Sequence, residues 1–132
     1  MDKVLAHVPE GFPDHEPGQG ARSPRAILAH MGDVIWFACR ELDASAPTAK
    51  REPPQSWEEE VDRFRAVQEE LDRALARGPD LTPDTAARLL QGPLSDAMTH
   101  AGQLAMLKRM AGAPVERENF FAADIVFITD GA

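Results

Sequence analysis

Apolar positions recur at three- and four-residue steps along most of the chain, the spacing that lines one face of an α-helix. From Pro24 to about Ala44 the stripe is Ile27, Met31, Val34, Ala38 and Leu42, widened by Leu28 and Ile35. From Ser56 to Gly78 it is Trp57, Val61, Phe64, Leu71 and Leu75, with Val67 and Gln68 flanking the gap. After Thr82 the inward residues are Ala86, Leu89 and Leu90. Gly92-Pro93 interrupts that pattern as a kink or a break, and Leu94, Met98, Ala101, Leu104 and Ala105 resume it to about Met110. The punctuation agrees. Ser23-Pro24 and Thr82-Pro83 each set a hydroxyl cap before a proline at the first helical position. Ser56 with Glu59 spells a capping box. Gly78-Pro79 and Ala111-Gly112-Ala113-Pro114 are stop signals. A short helix is expected over Asp2–Val8, ahead of a Gly- and Pro-rich loop from Glu10 to Ser23. Another is expected over Glu118–Ala123, carrying Phe120 and Phe121. No strand-like alternation and no internal repeat is present. The chain therefore reads as one all-α domain, with a short helix and loop over 1–23, main helices over 24–112 and a C-terminal cap or tail over 113–132. Such helices joined by loops favour a four-helix bundle.

The chemistry concentrates between Asp96 and Leu104. Asp96 and His100 are four apart, so a helix stacks them on one face, roughly 5–6 Å apart at Cβ. Two side chains so placed can grip one ion but make a poor site alone. A bundle builds metal sites from facing helices, and the one histidine on another long predicted helix is His30. His30, Asp96 and His100 give two imidazoles and a carboxylate, a set that suits Zn²⁺, Ni²⁺, Mn²⁺ or Fe²⁺. A divalent ion there polarises a carbonyl or lowers the pKa of a water or thiol it binds. The competing reading is structural: His100 and Gln103 hydrogen-bond across the bundle, and Asp96 favours the helix dipole from its first turn. Asp33 reads as a solvated residue or as a group orienting a ligand. Cys39 reads as a small core residue, and His7 and His15 as solvated or locally packed. Glu58, Glu59 and Glu60 read as a solvated outer face suited to the dipole.

Composition narrows the partners. The 132 residues suit one domain, and the formal net charge of −8 offers no basic patch for nucleic acid or a membrane surface. No apolar run approaches the roughly 20 residues needed to span a bilayer, and the N-terminus lacks a secretory h-region. A lone Cys39 forms no internal disulfide, so the expected setting is the reducing cytoplasm.

Leu28-Ala29-His30-Met31-Gly32-Asp33 resembles the first histidine motif of the DinB/YfiT-like superfamily, and His100-Ala101-Gly102-Gln103-Leu104 resembles the second. Met110 to Pro114 and Glu118-Asn119-Phe120 are similar to segments of uncharacterised members, and the likeness covers roughly Val8 to Ile125. It implies a four-helix bundle of up-down-down-up topology, here with a short first helix, and a metal site of three histidines. His30 takes the first place and His100 the last. The middle place is Asp96, a carboxylate where the family has histidine, so the implied set has harder character. The resemblance further implies a divalent-metal enzyme acting on a small-molecule substrate, as a hydrolase or as a transferase using a low-molecular-weight thiol such as mycothiol or bacillithiol. The alternative is a bundle with a decayed site, acting as a dimerising or small-ligand-binding module. Because family members are usually longer, either the chain is a compact variant or exposed faces are covered by a homodimer partner.

Overall fold

The structure, a computed structural model, describes residues 1–46, 56–78 and 80–124. The described residues are helical, without strands: α1 Asp2–Leu5, α2 Pro24–Leu42, α3 Trp57–Ala76, α4 Pro83–Leu89, a π-helical turn Leu90–Leu94, and α5 Ser95–Met110. None of these helices is long and apolar enough to cross a membrane.

The helix starts lie where the caps put them. Ser23 Oγ accepts from the Ala26 amide at 3.3 Å, and Thr82 Oγ1 accepts from the Thr85 amide at 3.2 Å. At Ser56 both halves of the capping box form, with Oγ taking the Glu59 amide and Glu59 Oε2 taking the Ser56 amide at 2.8 Å. The end of α5 is a Schellman closure: the Ala113 amide reaches Lys108 O and the Gly112 amide reaches Arg109 O, both at 3.0 Å. Gly112 adopts φ +83°, which a Cβ would disfavour. The first helix is shorter than its apolar pattern, since Ala6 is already extended at φ −80° and ψ 146° and His7 then turns left-handed at φ +51°. The second stops at Leu42 rather than Ala44. Glu118–Ala123 forms no helix; Asn119 instead closes a turn through its side chain onto the Phe121 and Ala122 amides. That is the ordinary competition of a short polar side chain with helix geometry. Ile125 onward lies outside the described residues, as do residues 47–55.

α2 is the central helix, packed by α3 on one side and α5 on another. Its contacts with α3 advance together along both helices: Arg63 on Ala29 and Asp33, Cys39 on Val67, Asp43 on Arg77. α2 and α3 therefore run the same way. Against α5 the order reverses, because His30 meets Asp96 and His100 while Phe37 shares a hollow with Gly92. Leu28, Met31, Phe64, Leu104 and Leu107 fill the space between the three helices. The N-terminal segment closes the remaining side. Phe12 is buried from within the loop and packs edge-on against Trp57 at 5.8 Å between ring centroids. Lys108 is buried too, and its ammonium donates to the carbonyls of Lys3, at 3.0 Å, and Ala6. Desolvation pulls the Lys108 pKa down.

Several inward positions differ from the apolar pattern. In α5 the buried residues are Ala97, Leu104, Leu107 and Lys108, while Met98 is 74% exposed. Leu90 and Leu75 also face out, and Ala74 takes the buried place in α3. Glu60, read as solvated, is only 2% exposed. It lies against α2 beside Arg63, whose guanidinium contacts it at 3.5 Å and donates to Ala29 O at 3.2 Å and Asp33 at 2.5 Å. Gly32 makes room for that guanidinium: a Cβ there would stand 2.7 Å from Arg63 Nη1. Asp33 is thus a partner of Arg63 rather than a solvated residue or a ligand orienter.

Candidate metal centre

The face where α2 meets α5 brings together His30, Asp96 and His100. They sit on different helices 66 and more positions apart in sequence, except for the Asp96–His100 turn. His30 stands near the start of α2, and Asp96 in the first turn of α5, directly after the π-helical turn. That turn arises at Gly92-Pro93. Proline supplies no amide for the ladder, and Gly92 leaves helical geometry at φ −93° and ψ −107°. Ser95 repairs part of the loss, its Oγ donating to Leu90 O at 2.5 Å. The kink thus resets the register in which Asp96 and His100 approach α2.

One carboxylate bridges two imidazoles. His30 Nε2 donates to Asp96 Oδ2 at 2.8 Å, and His100 Nε2 lies 3.5 Å from Asp96 Oδ1. The two rings meet edge to face with centroids 4.8 Å apart. One ligand atom from each of the three residues lies within 4.8 Å of the others. Two atoms bound to one ion at about 2.0–2.2 Å are at most ~4.4 Å apart. Small side-chain rotations therefore suffice to bring the set onto a common point. The side chains are 30%, 42% and 12% exposed for His30, Asp96 and His100, so the cluster is open to solvent on the Asp96 side.

Gln103 decides which nitrogen of His100 is free. Its Oε1 accepts from His100 Nδ1 at 2.8 Å. With the proton held on Nδ1, Nε2 carries a lone pair facing the cluster, the arrangement in which an outer partner orients a metal-ligating histidine. The contact is within α5, so the expected cross-bundle lock by His100 and Gln103 is not formed; the three-residue spacing places them on one helix face instead. Among the described residues no arginine or lysine pairs with Asp96, and this is the one group of three whose ligand atoms converge in this way. His7 and His15 are exposed and stand apart from it. Cys39 is fully buried in the core, where burial and the nearby Glu70 charge push its thiol up to about 11. Its Sγ rests on Val67 O, so it is packing and not a nucleophile.

Beside Asp96 the surface dips into a hollow of about 410 Å³, lined by Val34, Phe37, Gln91, Gly92 and Pro93. The sequence signal for it was the Gly92-Pro93 interruption, which read as a kink without any indication of what it would face.

The family model described as the DinB superfamily matches residues 1–109. No curated protein and no solved structure matches the chain.

Proposed function

The chain belongs to the DinB superfamily, and on that premise we propose that it is a divalent-metal-dependent enzyme acting on a small molecule, with His30, Asp96 and His100 as the ligands. One observation carries the reading: Gln103 holds the His100 proton on Nδ1, so that Nε2 offers its lone pair where Asp96 and His30 also converge. A divalent ion held there supplies Lewis acidity, polarising a carbonyl or favouring loss of a proton from a thiol or water. The protein's own part is orientation. His30 through Nε2, with its proton on Nδ1, and Asp96 through one oxygen would hold the ion together with His100, and the exposed side of Asp96 leaves an approach for substrate. A carboxylate in the middle position favours Zn²⁺, Mn²⁺, Ni²⁺ or Fe²⁺ over a soft thiophilic ion. Thiol-dependent transfer and hydrolysis are the reaction classes that fit, and the reducing cytoplasm is the setting in which a low-molecular-weight thiol would serve. The up-down-down-up arrangement belongs to the same reading, with α1 in the place of the first helix; the shared direction of α2 and α3 supports it.

Metal content tests this reading. Protein purified without a nickel column and dialysed against zinc is expected to hold one equivalent, by mass spectrometry of the metal. His100→Ala is expected to weaken zinc binding at least about a hundredfold, or ~2.8 kcal/mol, with little change in thermal stability. Less than a tenth of an equivalent in the unaltered protein, after reloading, sinks the proposal.

The reading includes a homodimer formed through the outer face of α5. Met98, Met106 and Met110 stand exposed there at four- and eight-residue steps, with Gly102 bare between them. From Ser95 to Met106 Asp96 is the one acidic residue and there is no lysine or arginine, whereas the outer face of α3 shows Glu58, Glu59, Asp62, Arg65, Glu69, Asp72 and Arg73. In a chain of net charge −8, a second copy is repelled least by this face, and interface cores are depleted of charge. Sedimentation equilibrium is expected to give a dimer, and Met106→Glu a folded monomer. A monomer at high micromolar concentration removes the dimer from the reading.

A further inference from the structure

The hollow shares Asp96 with the metal cluster and Val34 with the edge of the core, and its other lining residues have no part in either. Val34 and Phe37 from α2 and Pro93 from the π-helical turn make apolar walls, Gly92 offers bare backbone, and Gln91 and Asp96 supply the polar groups. Phe37 is 50% exposed although nothing in α2 requires an aromatic on its outside. The volume, about 410 Å³, lies in the range of small-molecule sites. The kink at Gly92 makes the hollow and also delivers Asp96 to its edge.

The geometry points to this hollow as the substrate-binding site of the metal centre, taking a molecule with an apolar body and, while no metal is bound, preferring a neutral one. The inference rests on the reading of His30, Asp96 and His100 as metal ligands. No lysine or arginine lines the hollow, and Asp96 holds its rim. In the metal-free protein a phosphate or carboxylate there would meet a like charge and no counter-charge, which costs it affinity. A flat or aliphatic group gains instead from Phe37, Val34 and Pro93. The Gln91 amide both donates and accepts, so it suits a carbonyl, amide or hydroxyl on the ligand. A molecule so placed turns its Asp96 end toward the three ligands, where a carbonyl or thiol would come within reach of the ion. Phe37 and Gln91 are then specificity-determining residues.

The test uses the full chain, metal-free, with N-benzylacetamide as the neutral probe and phenylacetate as an anion of similar size, followed by amide NMR shifts. The expected result is saturable N-benzylacetamide binding with shifts centred on Val34, Phe37, Gln91, Gly92 and Asp96, and phenylacetate weaker by about tenfold or more. Phe37→Ala, at a half-exposed position, should weaken the probe roughly three- to tenfold. Val34→Phe should fill the hollow, and circular dichroism shows whether that variant folds; if it does not, Phe37→Ala alone decides. Shifts centred elsewhere, no saturable binding up to the probe's solubility, equal binding of phenylacetate, or an unaltered Phe37→Ala affinity each overturns the inference. His100→Ala separates the two readings, because it should abolish zinc uptake and leave the probe bound. Zinc uptake without probe binding defeats the hollow alone; probe binding without zinc uptake by the unaltered protein defeats the metal centre, and with it the hollow's role as that centre's substrate site.

Discussion

α2 carries a polar cluster on each of two sides, and the two differ in a way that separates scaffold from site. Toward α3, Arg63 gathers Glu60, Asp33 and the Ala29 carbonyl. A permanent cation faces two carboxylates, Glu60 is nearly sealed from water, and the one positive charge is shared between the two acids. Toward α5, Asp96 faces two imidazoles with no permanent cation, the side chains keep access to solvent, and a lone pair points inward. The first arrangement already holds its cation. The second has a carboxylate and two nitrogens that an added cation would satisfy better than they satisfy one another. A resident guanidinium marks the structural cluster, and convergence without a cation marks the candidate site.

The sharpest way to break this contrast is Arg63→Ala. It leaves Glu60 buried without its counter-charge, a loss expected to cost about 3 kcal/mol in urea unfolding, while zinc stoichiometry in the folded fraction stays at that of the unaltered protein. A drop of under about 1 kcal/mol, as for an ordinary surface change, would mean that the α2–α3 cluster is not what ties these helices together. Gln103→Ala probes the other side with a smaller effect. Freed from its partner, His100 loses its fixed tautomer, and zinc affinity should fall about 10- to 100-fold, with unfolding unchanged within about 0.5 kcal/mol. Titration calorimetry with zinc reads the first and urea unfolding the second. Undiminished zinc affinity would show that Gln103 plays no orienting part.

The contrast also explains what was legible in advance. His30, Asp96 and His100 can be singled out because the helical repeat puts Asp96 over His100 and His30 is the one histidine on another long predicted helix; the resemblance in the residues flanking His30 and His100 strengthens that pair. The Gln103 contact was misjudged because a three-residue spacing allows either a partner on the same helix or one across the bundle. Glu60 looked like a dipole-favouring surface acid among Glu58 and Glu59, and nothing local distinguishes the one that turns inward. α5 was the hardest helix to orient. It carries Ala97, Leu104 and Leu107 on one side and Met98, Met106 and Met110 on the other. With apolar residues on both faces, periodicity alone does not tell which stripe is core, and the methionine side was chosen in part.

By itself, the sequence determined what depends on neighbours along the chain: the all-helical class, the three capped starts at Ser23, Ser56 and Thr82, and the stops at Gly78 and Gly112. Caps and turns are settled by bonds that span three to six residues, so the local residues are enough. The tertiary structure alone decided what depends on two helices at once. It set the 2.8 Å approach of His30 to Asp96, the burial of Glu60 against α2, and the hollow between Phe37 and Gly92. Those distances are fixed by how side chains pack across segments far apart in sequence, and a periodic pattern records only that a face is apolar, not what lies against it.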